Sequence, residues 1–402
     1  ASEQRAEIVR IVERARELHL NALFLQVRPS ADAIYPSPLE PWSEFLTGEQ
    51  GRPPEPLYDP LATWVEEAHR RGLELHAWFN PYRARHKDAT SPPAPTHISV
   101  TRPEVVKSYG GYLWMDPGEA SAVQQTLDVI VDVVRRYDVD GVHIDDYFYP
   151  YPVPVPRHLD PCTPPDPDAP AEEEFPDGPS WQAYLDGGGH LSRADWRRKN
   201  VSDLVERLYT SVHREKRWIK AGISPFGVGK PGRRPPGVTG FSQYDALYAD
   251  VELWLARGWL DYLAPQLYWR IDQKGQAFGS LLDYWLAENA QRRHVWPGLF
   301  TSRLDASARS WPVDEVLGQI ELTRTREAVR GQIHFSMVAL LENRRGVADR
   351  LIAGPYASDA LIPASPWLDD VAPEPPVVEI AGGALRVAPA RGEGVARYAI
   401  WA

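Results

Sequence analysis

Asp140-Gly-Val-His-Ile-Asp-Asp-Tyr-Phe-Tyr-Pro150 reads as a short buried strand that stops at two acidic residues. Side chains alternate across a strand. Val142 and Ile144 therefore share one face, and His143 and Asp145 share the other. The first face is apolar. The second carries hydrogen-bonding chemistry to the C-terminal end, where Tyr147 to Pro150 break the strand. A strand that ends by delivering a carboxylate is how a parallel barrel builds an active site.

Upstream, a helical repeat of apolar residues covers 2–19, with Ile8, Ile11, Val12, Ala15 and Leu18 on one stripe. It leads into the strand Asn21 to Arg28. Asp59-Pro60 then supplies an N-cap and a first-turn proline for a helix to about Arg71, and Gly72 stops it. The next strand runs from Leu73 to Asn80. A helix over 119–137 leads into the Asp140 strand. Downstream, strands are predicted at 219–224, 262–269, 294–300 and 332–340, with helices at 193–216, 245–257, 275–291, 313–329 and 344–353.

Seven strand–helix alternations imply one parallel sheet with right-handed crossovers. A doubly wound open sheet is the rival, but no GxGxxG follows any strand. The expected fold is α/β, a TIM (β/α)8-type barrel whose first strand lies upstream of Ala1. The barrel is expected over 1–355, with long loops after the strands. Residues 356–402 read as a linker and the start of a fibronectin III-like β domain, with strand patterns at Val377–Ile380, Ala384–Val387 and Tyr398–Trp401. Eleven prolines between 150 and 179 exclude a regular element there and predict an ordered loop or lid.

Composition narrows the function. A formal charge of −11 argues against nucleic acid and anionic membrane as partners. Cys162 is the only cysteine, so no intrachain disulfide forms. No apolar run approaches the roughly 20 residues of a membrane span. The chain starts at Ala1 without Met, as a chain trimmed of its leader would. Fifteen Trp and 18 Tyr supply rings that could stack on sugar faces as well as fill the core.

The inward parity of each strand gives Gln26 and Arg28, His76, Trp78 and Asn80, His143 and Asp145, Ser224, Gln266 and Tyr268, and His334 and Ser336. A barrel interior is usually filled by branched apolar side chains. Here one end is lined with hydrogen-bonding groups, which suits a sugar. Glycoside hydrolysis needs two carboxyl groups. Asp145 is the first. Asp146 is the second if the chain turns there; on a regular strand it would point away. Asp116 and Glu342 are the other candidates. Three inward imidazoles, His76, His143 and His334, raise zinc as an alternative, but no HExxH is present. A serine triad lacks its GxSxG elbow. Asn200-Val-Ser202 matches a glycosylation sequon inside a predicted helix and carries no weight.

The stretches Gln26-Val-Arg-Pro29, Pro41-Trp-Ser-Glu44, Leu75-His-Ala-Trp-Phe-Asn-Pro-Tyr-Arg83, Asp140 to Tyr147 and Ala264-Pro-Gln-Leu-Tyr-Trp269 together resemble glycosyl-hydrolase-like family 10 over about residues 5–355. The resemblance implies a barrel glycosidase of bacterial envelopes, exported or lipid-anchored, acting on peptidoglycan glycan strands, with a C-terminal sandwich domain in many members. The Asp140 strand is also similar to the DGxDxDxE strand of chitinases. It departs there: His143 replaces the middle Asp, and Tyr147 stands where the catalytic Glu would be.

The expected enzyme is a glycoside hydrolase without cofactor or metal. Asp145 is nucleophile or base and Asp146 is proton donor. Arg28, Asn80, Tyr82, Arg83, Asp116, His143, Tyr147, Ser224, Gln266, Tyr268, His334 and Glu342 are expected to bind the glycan. Trp78, Trp114 and Trp269 are expected to stack on it. The alternatives are a glycan-binding barrel without turnover and a metal-dependent hydrolase.

Overall fold

The structure, a computed structural model, describes residues 1–155, 171–371 and 374–388. In chain order its strands are β1 (Ala22–Arg28), β2 (Glu74–Phe79), β3 (Arg83–Arg85), β4 (Val106–Tyr109), β5 (Tyr112–Met115), β6 (Gly141–Ile144), β7 (Lys220–Ile223), β8 (Tyr262–Leu263), β9 (His294–Val295), β10 (Gly298–Leu299), β11 (Ile333–His334), β12 (Val377–Ala381) and β13 (Ala384–Ala388). Six pair in parallel in the order β1-β2-β6-β7-β8-β9. β10 pairs in parallel with β11. A bridge from Gln266 to Gly298 joins that pair to the continuation of β8. Neighbours in sequence are thus neighbours in space, as repeated strand–helix–strand units require.

The helices between the strands start and stop on local chemistry. Asp59 accepts from Ala62 N at 3.0 Å and caps Pro60–Arg70. Gly72, at φ +77°, ends that unit and turns the chain into β2. Ala120–Arg136 buries Val123, Leu127, Ile130 and Val134 along one stripe. On the strands, Leu75, Ala77, Phe79, Val142 and Ile144 are fully buried on the helix side.

Inside the ring, two glycines make room for large neighbours. A Cβ at Gly222 of β7 would sit 1.9 Å from the Tyr262 ring, and one at Gly141 of β6 would sit 2.2 Å from the His76 ring. Gly222→Ala is expected to destabilise the fold by about 1–3 kcal/mol, the usual cost of overpacking. Denaturant unfolding checks it, and an unchanged midpoint would contradict the packing described.

Among the described residues β11 and β1 do not pair, so the ring of strands is open between them, as a first strand upstream of Ala1 would leave it. Two features differ from the sequence expectations. The last predicted strand, 332–340, is only β11, and Met337–Leu341 is a helix. Its apolar run carries no period that tells strand from helix. The loop after β2 contains an antiparallel sheet, β3-β5-β4, turned by Gly110 and Gly111 at φ +57° and +81°. At the C-terminus β12 and β13 form an exposed antiparallel hairpin. The predicted strand Tyr398–Trp401, Cys162 and half of the proline-rich loop lie outside the described residues. No described helix is long and apolar enough to cross a membrane.

Candidate active site

β6 is paired on both sides, to β2 and to β7, and its ladder ends at Ile144. Asp145 keeps the inward parity of the strand. Asp146 does not continue it, because the chain turns at once: Tyr147 N reaches Asp145 Oδ1 at 3.4 Å and Phe148 N donates to Asp146 O at 3.0 Å. The turn re-aims Asp146, and both acids line one cavity of about 690 Å3. That volume fits a small-molecule or glycan site.

The two acids have different partners. Asp145 accepts from Trp78 Nε1 at 3.0 Å and from Asn80 Nδ2 at 3.2 Å. With the backbone N–H of Tyr147 these are all N–H donors, which cannot take a proton back. They match the ionised form of Asp145. Asp146 is held by the Tyr151 hydroxyl and by the Gln266 side chain. Burial, reinforced by the Asp146 charge, pushes Asp145 up to about 7, against the pull of Arg83. Burial also raises Asp146, opposed by its bonds to Tyr151 and Gln266. Two adjacent buried carboxyls cannot both ionise cheaply, so the pair keeps one proton near neutrality. The N–H donors favour the ionised form of Asp145, whereas the hydroxyl and amide at Asp146 can each give or take a hydrogen bond.

The structure brings Trp78, His143, Tyr147, Ser224, Gln266, Tyr268 and His334 to the same cavity. Tyr268 forms a three-ring cluster with Phe300 and Phe335, with ring centroids 4.9 and 5.5 Å away. Asn80 and Arg83 act from behind the wall. Asn80 Oδ1 accepts from Arg83 N at 2.8 Å, which fixes the amide group that donates to Asp145. Arg83 lies 4.9 Å over the Tyr147 ring and donates to Pro29 O.

Other predicted ligands are placed elsewhere. Arg28 is fully buried on Glu40, with Nη2 2.6 Å from Oε1. Tyr82 is fully buried in the core. Trp114 is also buried and donates to Phe148 O at 2.9 Å, so it braces the turn after Asp146 and has no face free for stacking. Asp116 accepts from Ser180 Oγ at 2.7 Å and from Gly118 N at 2.8 Å, away from the cavity; burial pushes it up to about 6. Trp269 packs edge-on against Phe226. Glu342 pairs with Arg344 at 2.7 Å with most of its side chain in solvent. With Asp116 and Glu342 remote, Asp146 is the candidate partner that shares the cavity with Asp145.

Four functional neighbours were not singled out from the sequence. Tyr151, within the proline-rich loop, bonds Asp146. Phe24, Tyr262 and Trp296 line the lower cavity or its floor. Phe24 and Tyr262 sit on the inward parity of their strands, which was the available signal. Both ring nitrogens of His76 and of His334 face protein partners. Among the described residues no group of three or more His, Cys, Asp or Glu is arranged to hold a metal.

The chain has relatives in fold and in sequence. At the level of fold, the chain is similar to the glycoside hydrolase domain of PgaB (BpsB) from Bordetella bronchiseptica, with a TM-score of 0.55 at 11% identity over 87% of this chain and 94% of that one. The catalytic domain of β-amylase from Paenibacillus polymyxa gives a TM-score of 0.56 at 9% identity, covering 88% and 94%. In sequence it is 38% identical to glycosyl hydrolase YngK of Bacillus subtilis, over 93% of this chain and 71% of that protein. It is 29% identical to glycosyl hydrolase DigH of Escherichia coli K12, over 83% and 75%. The glycosyl hydrolase-like 10 family matches residues 2–310. The chain therefore belongs to the glycosyl hydrolase-like 10 family and is a glycoside hydrolase.

Proposed function

We propose that this enzyme hydrolyses the glycan strands of bacterial peptidoglycan, outside the cytoplasm, with Asp145 as nucleophile or base and Asp146 as proton donor. The observation that carries the reading is the pair of buried acids at one cavity, one surrounded by N–H donors and the other by groups compatible with a proton. That division of labour is what glycoside hydrolysis requires. Trp78, Tyr268 and Phe335 offer aromatic surface beside the acids, as binding of a sugar face requires. Family membership supports the reaction class, and the resemblance of the strand motifs supports the substrate.

The fold reading that goes with it is a TIM barrel in which an eighth strand would fill the gap between β1 and β11. The hairpin of β12 and β13 would begin a fibronectin III-like module. The test is direct. Purified enzyme incubated with glycan strands stripped of their peptides is expected to release shorter oligosaccharides, read by mass spectrometry. Binding without product would favour a non-catalytic glycan receptor. Turnover confined to other polysaccharides would overturn the substrate.

A further inference from the structure

Below the carboxylates, five inward side chains form one line of hydrogen bonds across the barrel. Lys220 Nζ donates to Glu74 Oε1 at 2.7 Å. Glu74 Oε2 lies 3.1 Å from His76 Nε2. His76 Nδ1 lies 3.0 Å from the Tyr262 hydroxyl. The same hydroxyl lies 3.1 Å from His143 Nδ1. Gly141 and Gly222 leave the space in which the His76 and Tyr262 rings sit.

Counting protons fixes the direction of this line. A carboxylate only accepts, so His76 carries a proton on Nε2. The Lys220 ammonium already balances Glu74. A second proton on His76 would leave a net charge buried in the barrel, which is costly. His76 is therefore neutral, and its bare Nδ1 accepts from the Tyr262 hydroxyl. That hydroxyl has one proton to give. Its oxygen must then accept from His143, which places the His143 proton on Nδ1.

The consequence reaches the cavity. Burial pushes the His143 imidazole down to about 3, so the ring stays neutral at working pH. Among the described residues its hydrogen bond is made through Nδ1, which leaves the Nε2 lone pair unused. The ring lines the cavity two residues before Asp145, roughly 7 Å along the strand. We infer that Glu74, His76 and Tyr262 are positioning residues that set His143 as a hydrogen-bond acceptor beneath the acids, selecting a sugar substituent that brings its own proton, a hydroxyl or an acetamido N–H. The ligand part rests on the proposed function; the tautomer does not.

The experiment has two arms. Nitrogen-15 imidazole spectra of the whole enzyme at neutral pH are expected to show neutral His143 protonated on Nδ1. A proton on Nε2, or an imidazolium, would overturn the relay, and this arm needs no variant. In the second arm, Tyr262→Phe removes only the hydroxyl. It is expected to release the His143 tautomer and to raise KM for N-acetylated glycan strands about tenfold, the effect of one hydrogen bond, with a smaller change in kcat. A freed tautomer with unchanged KM would overturn the ligand role. Absence of turnover on any glycan with the Nδ1 proton in place would count against the proposed function and for the relay.

Discussion

Asp145→Asn is expected to lower turnover of glycan strands by about a thousandfold or more, within the reach of a positioned acid or base. The same change is expected to stabilise the protein at neutral and higher pH. The Asp145–Asp146 pair holds one proton up to about 7 in the fold, against about 4 for a carboxyl in an unfolded chain. Between those values the folded state binds more protons than the unfolded one. Stability from the neutral carboxyl is therefore full below about 4 and is lost as pH rises through about 7. Asn carries no charge to bury, so the Tm gap between Asp145→Asn and wild type should widen from pH 4 to pH 8. An inactive variant that melts higher excludes misfolding as the cause of its inactivity. Wild-type turnover would remove Asp145 from the chemistry, and a constant Tm gap would refute the raised pKa. Asp146→Asn should lose much less activity on an aryl glycoside whose leaving group needs no proton.

The second large effect lies outside the cavity. Arg28→Met is expected to destabilise the fold by about 3–5 kcal/mol, because it leaves the Glu40 charge buried without its partner. Arg28 also donates to the carbonyls of Asn80 at 2.6 Å and Pro81 at 3.2 Å. Those residues carry the amide that touches Asp145, so kcat should fall as well. Adding Glu40→Leu should recover most of the stability, since a buried pair is replaceable by apolar residues of similar volume. Denaturant unfolding of the single and double variants checks both statements. Equal stability of Arg28→Met and wild type would mean that the pair is not buried as described.

Arg28 also shows where reading by strand parity stops. Parity placed its side chain inside the ring. No local pattern announces Glu40, 12 residues later in a loop, as its partner. Asp145, His143, Gln266 and Tyr268 were legible because each lies on a strand whose opposite face is apolar. Asp146 was ambiguous because its direction depends on where β6 ends, and that is set by pairing with β2 and β7. Trp114 and Asp116 were misplaced because β3, β4 and β5 were read as loop. Tyr109-Gly-Gly-Tyr112 is a two-residue hairpin signal between aromatic residues and could have found that sheet. The helix Met337–Leu341 had no such marker.

The unsealed side of the ring has a mechanical meaning. β1 is half-exposed along its first five residues and β11 along both of its own, whereas β6 is buried throughout. Opening fluctuations concentrate where backbone ladders are missing. They should fall on these two rims wherever no further strand pairs with them, and a strand seated between them would quench them. The carboxylate strand, gripped from left and right, stays still in either case.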